Sequence, residues 1–586
     1  LSKLSQFWQE LKRRRVIHVI TVYASASFVI IELVNNLTDP LNLNSSLATI
    51  VIIVLSVGFP LAVILSWIYD LTGEGIEKTI SIEENSEMQS TKVPNAWKIA
   101  TYLSFVVIIG LVTFNIVGGS KQLNAGDIQS LVILPFENYT GDDQLENMVS
   151  SMHSLLIGDV GRVSGLRVIG KTSSKIYKDA KMSAKEIARE LNVDAVVEGT
   201  IMCLGDSICM QFRLLNTKGE EYQIWTGDYH EDKGKVLNLY NDITRQIANE
   251  VRVELTPEEV RLLARKQTID KDAFDAYLSS YAHWDDLSGA STRLAIDYLN
   301  KAVEKDPNWA PLWAGLAQLY GVRLQMGFES PETAIPRTFE YLKKAMDLDP
   351  DYADIHFNNA VFGTWLEWNW EKGEKEFLEA LAINPNDVMS RIYYAHLLNI
   401  LQRNKEAEVQ GRIAAELDPM NPLVQSLYAS VFIHMGSYDS AMVYLDKALA
   451  LDPDHYFANG GLIMAGYYLG EYDRIFEGLG KMNVFNDEFM DSVTAVFRDQ
   501  GFIVAASKVV GQMDQLGMDQ PVRMALWNGF IHRYDVVMDL LEKGYEVHDP
   551  NMPYIASTGH GFRDSLSGNP RYMALLEKMR LPLHDE

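Results

Sequence analysis

Cysteine is almost missing from this sequence: two occur in 586 residues, Cys203 and Cys209, six apart in "MCLGDSICM". Two thiols at that spacing cannot build a zinc site, and they are not the CxxC pair of a redox motif. Basic residues are also scarce, with 52 Lys and Arg against 78 Asp and Glu and a formal net charge of −26. Phosphate contacts need clustered cations, and the only cluster is "KRRR" at Lys12 to Arg15, so no nucleic-acid partner is expected. Motifs of common enzyme chemistry are missing too. No GxGxxG stands at a strand-to-helix junction, and no Walker A lysine, HExxH or GxSxG occurs. The expectation is a non-enzymatic chain with no cofactor and no metal.

What is present begins with long apolar segments. Val16 to Leu37 carries only His18 and Glu32 as ionisable groups, and neither Leu47 to Tyr69 nor Ile99 to Gly118 carries a charge. Each is long enough to cross roughly 30 Å of hydrocarbon as a helix. A membrane anchor over 16–120 is therefore expected, with spans at about 16–37, 47–69 and 99–118 and the lipid bilayer as a partner. The first apolar stretch is too long for a cleaved signal peptide, and no small-residue cleavage pattern follows it. The basic N-terminus, 1–15, is expected to stay cytoplasmic by the positive-inside rule, which sends everything after Ser120 outward. Glu32 lies near the outer end of its span and reads as structural, and Pro60 reads as a tolerated kink.

After Ala125 short strands alternate with amphipathic helices, a small α/β domain over 121–258. "SLVILPF" and "LRVIG" read as strands with "MVSSMHSLLIGDVGRV" as the helix between them. "SAKEIARELNV" reads as a helix with Ser183 as N-cap and Glu186 as capping-box partner. "DAVVEGTIMCLGDSICMQFRLLNT" reads as two strands joined at Gly205-Asp206; "YQIWTGDYHED" as another, followed by a helix from Leu237 to Leu255. A three-residue loop at Gly205 to Ser207 sets Cys203 opposite Cys209, where an oxidising compartment allows a disulfide. A two-residue turn breaks that register and leaves two small buried side chains.

The order "LVILPFEN", helix, "LRVIGKTS", "AKEIARELNVDAVVEGTI", "FRLLNTKGEEYQIWTGDY", "ITRQIANEVRVEL" resembles the TolB-type N-terminal domain, itself similar to CsgG-type periplasmic domains, over Ile128 to Glu258. "FWQELKRRRVIHVITVYASASFVI" and "LSWIYDLTGEGI" resemble the membrane anchor of bacterial proteins that couple this domain to helical repeats. The resemblance implies an inner-membrane protein with a periplasmic C-terminal region. Related chains often carry a nucleotide cyclase or a winged-helix domain on the cytoplasmic side, whereas about fifteen residues precede the first span here.

Over 259–486 an Asx-Pro phrase recurs, at Pro307, Pro350, Pro385, Pro419 and Pro453, with intervals of 43, 35, 34 and 34 residues. Five residues before each proline stands an alanine: Ala302, Ala345, Ala380, Ala414 and Ala448. Ten residues after the first four stand Ala317, Ala360, Ala395 and Ala429, while Ile463 takes that place in the fifth. Alanine lets two antiparallel helices cross closely, and the proline ends the second of them. "WAGLAQLYG" resembles the tetratricopeptide repeat signature. The 43-residue interval carries "LQMGFESPETAIP", expected as a loop, and 487–586 is expected as a helical C-terminal cap.

The fold class expected is thus multi-domain: a three-helix transmembrane anchor, a TolB-N-like α/β domain and an all-α superhelix. "STGHGFRDSLSG", with Ser557, His560, Arg563 and Asp564, reads as a loop rather than a hydrolase triad, and Trp365, Trp368 and Trp370 read as inter-repeat packing rather than a sugar platform. A scaffold that binds a protein partner is the favoured function; the alternative is a transmembrane sensor of an extracytoplasmic ligand or glycan, which needs an effector inside. Positions seven and eleven after each proline are expected to face the concave side: Ala314 and Gln318, Phe357 and Val361, Ile392 and His396, Ser426 and Ser430. That mixed apolar and neutral lining suits an extended peptide or a helix, the chain's own C-terminal helices, or a second copy in a homo-oligomer.

Overall fold

The computed structural model describes residue 11, residues 16–38, scattered positions between 51 and 66, and 69–72, 75–78, 128–284, 288–557 and 562–583. The chain divides into two compact units, Leu1–Gln122 and Leu123–Glu586. In the first, Val16–Thr38 is a helix, and its Val16–Val34 stretch is long and apolar enough to cross a membrane. Among the described residues it is the one helix that is. The expected span at 47–69 is described only in part, its described positions from 51 to 66 being helical, and the span at 99–118 lies outside the described residues. Tyr23 ties the two described helical segments together, donating its hydroxyl to the Leu55 carbonyl at 2.8 Å. Asp70 and Glu77 pair in a short antiparallel hairpin, Tyr69–Thr72 with Gly75–Lys78, at the end of the expected second span.

The second unit opens with six strands: β1 (Ser130–Ile133), β2 (Glu137–Asn138), β3 (Arg167–Val168), β4 (Ala195–Leu204), β5 (Ser207–Asn216) and β6 (Tyr222–Asp232). They form one sheet in the order β3-β1-β4-β5-β6, with β2 also on β4. β1 is parallel to β3 and β4, while β4, β5 and β6 run antiparallel to one another. Pro135, which has no N–H to donate, separates β1 from β2 where "SLVILPF" predicts one strand. β1 and β4 are covered on both faces. Leu131 and Ile133 enter a core with Met152, Leu156 and Ile243, whereas Val132 and Val196 meet Ile187 and Leu191. Strand segments buried on both sides have no polar face, which is why 131–133 and 195–197 are continuously apolar, while the apolar run of β4 ends at Glu198. The helix Ala184–Glu190 is capped by Ser183, whose hydroxyl accepts from the Glu186 N–H at 3.3 Å while the Glu186 carboxylate accepts from the Ser183 N–H at 2.8 Å. The helix expected from Leu237 runs over Val236–Glu250.

Helical hairpins follow. Ala302, Ala345, Ala380, Ala414 and Ala448 are all fully buried, and so are Ala317, Ala360, Ala395 and Ala429. The carbonyl of each of the first five accepts the last helical N–H, from Asp306, Asp349, Asn384, Asp418 and Asp452, at 2.9–3.0 Å. The next residue is the proline, which cannot donate, so the helix stops there. In four of the turns the Asx side chain then accepts from the N–H two residues on, in Asn308, Asp351, Asn386 and Asp454. A further regularity is invisible as a motif because its residue type changes every time. The carbonyl of each repeat proline accepts from the side chain six residues later: Trp313, His356, Arg391, Gln425 and Asn459, at 2.8–3.2 Å. Five different side chains share one property, a nitrogen donor of suitable reach.

Two expectations need correction. The "LQMGFESPETAIP" insertion is mostly not a loop: the first helix extends to Gln325, the second starts at Pro331 and carries Pro336 within it, and only 326–330 lie between. Proline fits a first helical position because its missing N–H has no intrahelical partner there. The residues after 487 do not form a simple terminal cap. Helices Asp487–Gln500 and Phe502–Gln515, broken at Gly501 with its φ of +85°, extend the end of the superhelix through a core shared with Ile463, Ile475 and Phe530. The remainder, through Tyr534–Glu546 and Pro570–Met579, folds back into the core of the hairpins between Ala360 and Ala465.

Candidate protein-interaction surface

The first helices of three hairpins, Ala353–Trp365, Val388–Ile400 and Pro422–His434, carry most of the side chains expected to meet a partner. Ile392 is 0%, His396 5% and Ser426 2% exposed, so none of these three is available to a partner. The cover is the chain's own C-terminal segment. His396 Nδ1 accepts from the Tyr554 hydroxyl at 3.0 Å while its Nε2 donates to the Leu427 carbonyl at 3.0 Å. His434 stacks on Tyr554 with ring centres 4.6 Å apart and pairs through Nδ1 with the Ser557 hydroxyl at 2.8 Å. Gln402 Nε2 donates to the Ala556 carbonyl at 3.2 Å. Burial pushes the His396 imidazole down to about 4, which keeps it neutral and able to donate from one nitrogen while accepting at the other.

Ala314 is also buried, whereas Gln318, Phe357, Val361 and Ser430 are half-buried. Phe357 stands edge-on to Tyr393 at 5.7 Å, and Trp365 meets the same tyrosine at 5.5 Å. The tryptophans are committed to packing. Trp370 Nε1 donates to the Met579 carbonyl at 3.0 Å, and Trp368 stacks on His548 with centres 4.2 Å apart. Ser557 does meet a histidine, His434, but both are buried and the serine is spent on holding the fold-back; His560 lies outside the described residues.

A second surface is already filled by the α/β domain, which docks on the Asx-Pro turns. Asn386 accepts from the Val168 N–H at 3.1 Å and donates to the Gly161 and Leu166 carbonyls at 2.9 and 2.8 Å. Asp418 accepts from the Ser173 N–H and hydroxyl at 2.7 and 2.6 Å, and Asn421 donates to the Thr172 hydroxyl at 3.1 Å. No sequence motif pairs these residues; the local signs are the asparagine in place of the usual aspartate at 384 and Asn421 two residues after Pro419.

At the far end of the sheet, Leu204 pairs with Ile208, leaving the three-residue loop Gly205 to Ser207, and Cys203 pairs with Cys209. Their Cα atoms are 4.8 Å apart and the sulfurs are bonded. His230 of β6 pairs in turn with Cys209, its Nδ1 3.2 Å from Sγ. No sequence motif links this histidine to the cysteines, and strand register thereby adds a nitrogen donor to a pair that at its spacing cannot by itself build a zinc site.

A tetratricopeptide repeat family model matches residues 424–455, the hairpin that contains Ser426 and Ser430. A protein of Rhizobium meliloti (strain 1021) named "Putative adenylate cyclase 3" is 26% identical over 240 residues, 40% of this chain and 40% of that protein. The chain thus matches less than half the length of that relative. Among solved structures, PilW, a type IV pilus biogenesis factor, is 16% identical and covers 38% of this chain and 99% of its own, with a TM-score of 0.31. A thermophilic tetratricopeptide protein of Thermus thermophilus is 16% identical over 33% of this chain and 98% of its own, with a TM-score of 0.28. YrrB, a repeat protein with an unusual peptide-binding site, is 21% identical over 31% of this chain and 90% of its own, with a TM-score of 0.22. The chain carries tetratricopeptide repeats in a mostly helical superhelix with a small α/β region.

Proposed function

We propose that this chain is a non-enzymatic scaffold of a bacterial cytoplasmic membrane, holding its α/β domain and repeats on the periplasmic side and binding a protein partner on the repeats. The observation that supports it best is the set of first-helix side chains that neither the docked α/β domain nor the folded-back C-terminal segment fully buries. Gln318, Phe357, Val361 and Ser430 remain half-buried on these first helices, and Phe357 and Val361 share a cluster with Tyr393 and Trp365. Apolar and aromatic anchors with one amide and one hydroxyl suit an extended or helical protein segment. Anchoring is supported by the Val16–Val34 helix, whose Phe28 and Val29 side chains are 66% and 60% exposed in a stretch with a single acidic residue. A surface of that kind is stable in lipid and costly in water.

Photo-crosslinking residues at Gln318 and Val361, activated in intact cells, test this reading. A discrete cross-linked protein that disappears in Phe357→Asp, with the chain's melting unchanged, supports it. Cross-links confined to the chain itself or a second copy overturn it. Thiol labelling of a cysteine placed at exposed Val443 tests the side: labelling only after lysis overturns the periplasmic placement. The match to a protein named for adenylate cyclase activity favours a second reading, in which the same region senses a ligand for a cytoplasmic catalytic region.

A further inference from the structure

Three side chains lie in a row across three neighbouring strands: Cys203 on β4, Cys209 on β5 and His230 on β6. Directly paired residues of adjacent antiparallel strands point to the same face, about 4.5–5.5 Å apart, so the row presents all three to one side of the sheet. The two sulfurs and the histidine Nδ1 all lie within 4.8 Å of one another. The register shifts between Ile201 and Cys203, a bulge that re-aims Cys203 beside its partner. Both cysteines are half-buried, His230 is exposed, and the row stands at the hairpin end of the sheet where a reductant or an ion has access.

We propose that this row is a redox-gated site for a thiophilic metal ion, Zn²⁺ or a chemically similar ion, bound by Cys203, Cys209 and His230 once the disulfide is reduced. In the bonded form neither sulfur is a thiolate and no metal is held. A dithiol reductant transfers two electrons and two protons to the disulfide, leaving two Cys thiols and becoming a disulfide itself. Metal entry then displaces both thiol protons, and two thiolates with one neutral imidazole complete three positions of a tetrahedron. The fourth position faces solvent, as His230 is exposed, and takes water or an external ligand. The sheet holds the donors at one level, so ordering them costs little: β4 and β5 are paired from Ala195↔Asn216 to Leu204↔Ile208, and β5 with β6 from Ser207↔Asp232 to Asn216↔Tyr222. Same-face neighbours Asp228 and Asp232 are already engaged, with Gln211 at 2.7 Å and Lys271 at 2.7 Å. They add negative potential without displacing the two thiolates or the imidazole as ligands.

The test uses the full chain in detergent, reduced with a phosphine under anaerobic conditions and titrated with Co²⁺. A sulfur-to-cobalt charge-transfer band with tetrahedral visible bands is expected at one equivalent, displaced by Zn²⁺, and missing from the oxidised protein. Cys209→Ser abolishes the band. His230→Ala, an exposed position that leaves the oxidised fold unchanged by melting, weakens Co²⁺ binding by roughly tenfold or more. Absence of the band when two free thiols are counted overturns the site, and equal affinity in His230→Ala removes the histidine from it.

Discussion

The hydroxyl of Ser173 donates to Oδ1 of Asp418 at 2.6 Å and accepts from the Met420 N–H at 2.8 Å. In the other repeat turns the Asx oxygen takes the N–H two residues on for itself. Here a serine of the α/β domain is inserted between the two, so the turn of one domain is completed by the other. Ser173→Ala leaves a buried carboxylate oxygen and an N–H short of partners, at a cost of about 1–3 kcal/mol. Hydrogen exchange should accelerate at 170–174 and 417–421 and stay unchanged at 450–454; equal acceleration in both turns contradicts the inserted-serine account.

The shared proline-carbonyl bond gives a second outcome. Gln425→Leu removes the donor to the Pro419 carbonyl, and Asn459→Leu does the same at Pro453. Each is expected to lower stability by about 1–2 kcal/mol in urea unfolding. Changing exposed Val443 to Gln provides the reference, expected within about 0.5 kcal/mol of the parent.

Ala414 is fully buried where its hairpin closes. Ala414→Leu inserts three carbons into that contact and should cost about 1–3 kcal/mol. The neighbouring Gly411 lies even closer to the partner helix, since a Cβ there falls 2.5 Å from the Tyr428 ring. Gly411→Ala is therefore expected to destabilise despite alanine's better helix propensity. A gain in melting temperature for either variant shows that the crossing has room for a larger side chain.

Acidification provides a fourth measurement. Burial pushes both His396 and His153 down to about 4, below the ordinary histidine value near 6.5. Between those limits the unfolded chain binds protons that the folded chain does not, so stability falls as pH drops from about 6.5 towards 4, by up to about 3 kcal/mol per histidine. Asp354 works in the opposite sense. Burial, with the Asp387 charge, pushes it up to about 6, so its folded form gains a proton first and is favoured as pH falls below that value. Burial raises the Asp159 and Asp387 carboxyls as well, and they act in the same sense as Asp354, so the histidine contribution is read from a variant rather than from the net slope. His396→Gln, which keeps a donor for the Leu427 carbonyl, should flatten the fall in urea midpoint between pH 7 and 5; an unaltered slope places the titration elsewhere.

The features legible in the chain are those set within a few residues of one another. Proline lacks an N–H, so Pro307, Pro350, Pro385, Pro419 and Pro453 each stop the helix before them, and alanine's size fixes which faces can cross, so the repeat period is legible in the chain. The Ser183–Glu186 capping box and the Gly205 hairpin were legible for the same local reason. Counting from the prolines picks out first-helix side chains without telling which are covered: Phe357 and Val361 are half-buried, whereas Ile392, His396 and Ser426 belong to the interior. Tertiary structure decided that, because Tyr554 and Ser557 reach His396 and His434 across 158 and 123 residues of chain. It also decided that Asp418 completes its turn with Ser173, and that His230, 21 residues from Cys209, stands beside it through strand register. Helix and turn rules act over about four residues, whereas such contacts depend on which apolar faces find each other, and no periodicity in the chain records that choice.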